Sequence, residues 1–179
     1  MAGKGTDGLD RLLDLFVRAS PHRHTHWNPE TGETFSVRGR KGAAEAVEAF
    51  EERLFEEEAW IEVPWLESDD AFAMMQAFAS ELAPGRGRAV LLAALQTDKP
   101  FRAFRAALAS RPGLLRRFRA VELEEAAERL CQVAVGLGIE LPYPELQERI
   151  AAIRAEVAAS VPGRVAVASL RIGRTGGPG

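Results

Sequence analysis

A chain of 179 residues, 46% hydrophobic and 27% charged, can bury a sizeable core as one domain or one domain with an appendage. Its formal charge of −3 gives no global attraction to nucleic acid or to an anionic membrane. The single cysteine, Cys131, excludes an intramolecular disulfide framework and any multi-cysteine zinc site.

Thr6 and Asp7 suit a helix start, and Leu9, Leu12, Leu13 and Phe16 recur at helical spacing before Ser20-Pro21 ends the run. Residues 22–28 and 33–38 alternate about the turn "NPETGE", which predicts a β-hairpin over 22–38. In "KGAAEAVEAFEERLFEEEAW" one face carries Ala43, Val47, Phe50 and Leu54 and the rest is mostly glutamate, an amphipathic helix. "WIEVPW" alternates briefly around Pro64, so a short edge strand or connector is expected.

Ser68, Asp69 and Asp70 open a helix whose Phe72, Met75, Ala79 and Leu82 form one face, with Met74 and Phe78 on the other side. "APGRGR" reads as a turn and "AVLLAAL" as a short buried helix. Phe101, Phe104 and Leu108 give another face, closed by "SRPG". Leu114, Leu115 and Phe118 continue after it. Leu123, Ala126, Ala127, Leu130, Ala134 and Leu137 then predict a long helix closed by Gly138, with Cys131 beside the apolar face as a buried, inert thiol. Pro144 opens a last helix with Leu146, Ile150, Ile153 and Val157 in one stripe and Glu145 paired with Arg149. "RVAVASLRI" has strand-like content, and 173–179 reads as a disordered tail.

Three stretches together resemble a bacterial family catalogued as uncharacterised protein family 0158. "WNPETGET" is similar to its "LDxETGEV" hairpin. "IEVPWLESDDAFAMMQAFASEL" is similar to its strand-and-helix segment with a Met-x-x-Phe pattern. "LLAALQTDKPFRAFRAAL" is similar to its "LxxALxGKGAFRRFKDxL", and "GLGIE" to its "xxGIE" end. The resemblance runs over roughly residues 9 to 140 in the right order. The family's Gly-Lys-Gly-Ala is Thr97-Asp98-Lys99-Pro100 here, its second Arg is Ala103, and His22, His24 and His26 lie outside its pattern. The resemblance implies a small mixed fold and no inherited catalytic mechanism.

His22, His24 and His26 fall on one side of a strand, with adjacent Cβ atoms about 6.5–7 Å apart. No further ligand has the spacing that would complete a zinc site, so they read as hairpin residues and no metal or other cofactor is expected. Charge is unevenly distributed. Acids dominate from Glu45 to Glu81, opposed only by Arg53. Between Arg86 and Arg119 the balance reverses: Arg86, Arg88, Lys99, Arg102, Arg105, Arg111, Arg116, Arg117 and Arg119 face only Asp98. Either these cations pair with the acidic helices, or they form a basic surface for phosphates or an acidic partner. Nucleotide-binding, hydrolase and metalloprotease motifs are missing from the sequence.

No apolar run approaches the roughly 18–20 residues of a membrane span, and the N-terminal stretch lacks a signal-peptide pattern. Arginine-dominated basic residues and abundant alanine are associated with GC-rich bacterial genomes. The expectation is a cytoplasmic bacterial protein of the α+β class. It is predominantly helical, with a small antiparallel sheet built on the 22–38 hairpin. A family-like domain would span 1–140, a C-terminal helix and possible strand 141–172, and a tail 173–179. The expected function is a non-catalytic binding or regulatory module, contacting a protein partner or nucleic acid through Arg86, Arg88, Lys99, Arg102, Arg105, Arg116, Arg117 and Arg119. A nucleic-acid-binding protein and a small enzyme without a recognisable motif are the alternatives. The 144–159 helix either caps the core or docks a second copy.

Overall fold

A computed structural model of the chain describes residues 4–38, 48, 50–52, 54, 59–139 and 144–160. In chain order its elements are α1 (Lys4–Arg18), β1 (Arg23–Trp27), β2 (Thr34–Arg38), β3 (Ile61–Glu62), α2 (Ser68–Glu81), α3 (Arg86–Leu95), α4 (Pro100–Ala109), α5 (Pro112–Leu137) and α6 (Pro144–Ser160). The strands form one antiparallel sheet in the order β2-β1-β3, so the α+β, predominantly helical class is as expected.

Asn28 makes the hairpin turn. Its buried side-chain Oδ1 accepts from the backbone N–H of Glu30 (2.9 Å) and Thr31 (3.1 Å), and its carbonyl accepts from Gly32 N–H at 2.8 Å. Gly32 supplies the φ of 73° that an L side chain would resist. The register then pairs Trp27 with Thr34 and His26 with Phe35. β3 is the short edge strand expected around Pro64: His26 pairs with Glu62, and Val63 N–H donates to Thr25 carbonyl at 2.8 Å. Phe35 stacks on Phe50 with centroids 3.6 Å apart, and His26 and Trp60 close on the same ring at 5.2 and 5.1 Å. Phe50 and Leu54 are helical, as read; most of the helix expected from Ala43 onward, including Val47, lies outside the described residues.

α5 organises the core. One apolar cluster joins Leu9, Leu12, Leu13 and Phe16 of α1, Trp27 of β1, Val63, the Ala126–Leu130 turn of α5 and Ile153 of α6. A second joins Met75, Phe78 and Ala79 of α2, Leu91 and Leu95 of α3, Phe104 and Leu108 of α4, and Phe118 of α5. Phe118 lies 5.1 Å from Phe78 and 5.2 Å from Phe104, both tilted, the favoured geometry for aromatic pairs.

Several local expectations are corrected. α1 begins at Lys4, so Thr6 sits inside its first turn. α2 starts at Ser68 with Glu67 as N-cap and no side-chain cap, although Asp69 and Asp70 do complement the first turn. Arg86, Gly87 and Arg88, read as part of a turn, form the first turn of α3. Residues 112–137 are one helix of 26 residues, because Pro112 at its start needs no N–H partner there and no breaker follows. Leu115 and Leu137 are exposed at 42% and 58%, having rotated off the core faces assigned to them. α6 opens at Pro144, and Ile153 is 1% exposed within the α1 cluster, so α6 closes over the core. The side chains of Glu145, Leu146 and Val157 lie outside the described residues, as do the strand expected at 164–172 and the tail at 173–179.

Candidate functional site

Three consecutive helices begin in the same unusual way. The N-caps of α3, α4 and α5 are Gly85, Lys99 and Arg111; none makes a side-chain capping bond, and none of the three first turns contains an acid. Helix N-termini carry partial positive charge and unpaired N–H groups, which Ser, Thr, Asp or Glu ordinarily satisfies. Here Arg86, Lys99 and Arg111 add cations instead. This arrangement disfavours the isolated fold and favours an anion at the same places.

The helix packing divides the basic residues into two groups. A Cβ at Gly87 would approach Leu114 Cδ1 to 3.1 Å, so glycine lets the first turns of α3 and α5 meet closely. Arg86 and Arg88 flank that contact from α3, while Arg116 and Arg117 follow it on α5. α4 packs on α5 through Phe104 with Phe118 and Arg105 with Glu122. At a rise of about 1.5 Å per residue, Lys99 and Arg102 at the start of α4 lie about 15 Å along the helix from its Arg111 end.

The structure also decides which cations are paired, the question left open by composition. Arg105 donates to Glu122 at 2.7 Å. Arg119 bridges Asp14 of α1 and, at 3.6 Å, Glu122. Arg111 donates to the Ala107 carbonyl at 2.9 Å and to Ser110 Oγ at 2.7 Å. The side chains of Arg86, Arg88, Lys99, Arg102 and Arg116 have no ion pair or hydrogen bond among the described residues, and all but Arg88 are exposed. Arg117 is half-buried, with Nε and Nη2 enclosed and without a partner. The acids that pair with Arg105 and Arg119, Asp14 and Glu122, come from α1 and α5.

Other candidates are absorbed by the fold. His22 is exposed before β1, His26 packs on Phe50, and the side chain of His24 is outside the described residues. Among the described residues no three His, Cys, Asp or Glu side chains gather as a metal site. Cys131 is half-buried; burial raises its thiol pKa, Glu128 adds to the rise and Arg154 opposes it. A cleft of about 370 Å³ is lined by Asp10, Arg11, Asp14, Leu123 and Arg149, but Asp10 is bound to Arg149 at 2.9 Å and Asp14 to Arg119. A smaller cleft of about 150 Å³ has Met74, Met75 and Phe101 beside Arg105, Glu122, Glu125 and Arg129, whose charges satisfy one another. No described helix is long and apolar enough to cross a membrane.

One structural element was missed entirely by sequence reasoning. Arg129 donates to the carbonyls of Pro64 (2.6 Å) and Phe16 (3.0 Å) and grips Glu125 through Nε (2.8 Å), so one guanidinium ties α1 and the β3–α2 connection to α5. The four-residue Glu125–Arg129 spacing was its only local signal. Comparison with family models, curated proteins and solved structures found no match to the chain.

Proposed function

We propose that this chain is a non-catalytic binding module of the bacterial cytoplasm that engages a phosphate polyanion, a nucleic-acid backbone, through the starts of α3, α4 and α5. One observation carries the reading: Arg86, Arg88, Lys99, Arg102 and Arg116 are unpaired among the described residues and stand at helix starts without acidic or capping side chains. Separation of Lys99 and Arg102 from the Arg86–Arg116 group by about 15 Å favours a ligand with charges repeated along its length over one small anion. The resemblance to uncharacterised protein family 0158 brings no activity that competes with this reading.

The test is a titration of a labelled mixed DNA and RNA pool at several salt concentrations. Five neutralised phosphates give a slope of log K on log salt of about −4 to −5 for duplex, with each contact contributing roughly 0.9. A variant carrying Arg86→Glu, Lys99→Glu, Arg102→Glu and Arg116→Glu keeps its circular dichroism and loses binding. Absence of wild-type binding at low salt sinks the proposal and turns attention to an acidic protein surface.

A further inference from the structure

Arg117 differs from the other cations of this surface. Its Nε and Nη2 atoms are both enclosed, and neither meets an acceptor among the described residues. These atoms form one edge of the guanidinium and donate in parallel, the geometry that takes two oxygens of a phosphate or carboxylate. Neighbours three and four residues away on α5 are Gly113, Leu114, Ala120 and Val121, none of which can accept that edge. Arg119 and Arg129, by contrast, have Glu122 and Glu125 at those spacings and use them.

A cation with covered, unpaired donors weakens a fold, and an apolar side chain of similar length serves better where only packing is needed. Arg117 keeps its guanidinium although no described residue accepts from that edge. Just before it in the sequence are Arg116, exposed and unpaired among the described residues, and Leu114, whose closeness to Gly87 brings Arg86 and Arg88 to the same end of α5.

We infer that Arg117 is a phosphate-binding residue whose Nε/Nη2 edge turns out of its covered position to grip two phosphate oxygens at the junction of α3 and α5. The inference rests on the polyanion reading of this surface. Phosphate can reach it as a backbone diester or as the free ion, and the shared chemistry is the two-oxygen acceptor.

The experiment compares wild type with Arg117→Met and Arg117→Lys by thermal unfolding and by salt-dependent titration of a labelled oligonucleotide, with inorganic phosphate as a separate probe. Arg117→Met is expected to raise the melting midpoint, weaken oligonucleotide affinity roughly tenfold at low salt and lower the salt slope by about one. Arg117→Lys restores the slope but little of the affinity, because it keeps the charge and loses the fork. Inorganic phosphate that shifts the melting midpoint of wild type but not of Arg117→Met identifies the free ion as sufficient; an effect of the oligonucleotide alone identifies the diester. Unchanged affinity and slope in Arg117→Met, or loss of its helical signal, overturns the inference while the surface reading stands. Failure of wild type to bind either probe overturns both.

Discussion

At the scale of single residues, Arg129 shows how much one side chain can organise. It is 12% exposed, with two carbonyls and a carboxylate as acceptors drawn from three parts of the chain. Replacing it with Met strands these acceptors, and breaking a mostly buried pair of this kind costs about 3 kcal/mol. Urea unfolding of Arg129→Met checks the magnitude; a loss below roughly 0.5 kcal/mol would mean the contacts are peripheral. Cys131 gives a pH prediction. Its folded pKa is raised, mainly by burial, so the thiolate is suppressed in the native chain. Iodoacetamide should alkylate native protein more slowly than urea-unfolded protein at about pH 8, close to the ordinary thiol pKa. The linked stability is fully present below the unfolded thiol pKa and fades as pH rises through the folded one. Equal alkylation rates in the two states would contradict this.

At the scale of elements, helix faces were the most legible feature. Leu9, Leu12, Leu13 and Phe16 recur with the helical period, and all four are buried in α1. The hairpin was equally clear because Asn, Gly and alternation act locally. Helix starts were less so. Thr6 and Ser68 suit helix starts, yet Thr6 falls within α1 and Ser68 follows Glu67, the N-cap of α2, since neighbouring backbone could extend the helix past them. Two glycines make "APGRGR" read as a turn, yet its arginines belong to the first turn of α3, where Gly87 lies close to Leu114. The C-terminus of α5 followed its signal: Gly138 has φ 65°, and Ile139 N–H reaches back to the Ala134 carbonyl at 2.8 Å. Gly138→Ala should cost about 1–2 kcal/mol by denaturant unfolding, the ordinary penalty for a side chain in the left-handed region. No change would mean the helix end rearranges without loss.

For the molecule as a whole, α5 belongs to both apolar clusters, so damage to either should be felt cooperatively. Phe118→Ala removes the ring between Phe78 and Phe104 and should destabilise by about 3–5 kcal/mol, with coincident transitions at α1 and α3 probes. Two separated transitions would show that the clusters unfold independently. The candidate surface was only half legible. Composition revealed a basic stretch, but the fate of each charge depends on tertiary neighbours up to 105 residues away, as with Arg119 and Asp14. Arg105 and Arg119 are thereby engaged within the fold, while Arg86, Lys99, Arg102 and Arg116 remain exposed and unpaired among the described residues.

The most direct test is a residue-resolved NMR titration with a short oligonucleotide at low salt. Backbone amide shifts should move at residues 85–88, 99–102 and 113–117, the starts of α3, α4 and α5, and return as salt is raised. Shifts confined to the α1–α6 face, or none anywhere, would contradict a polyanion-binding surface at these helix starts.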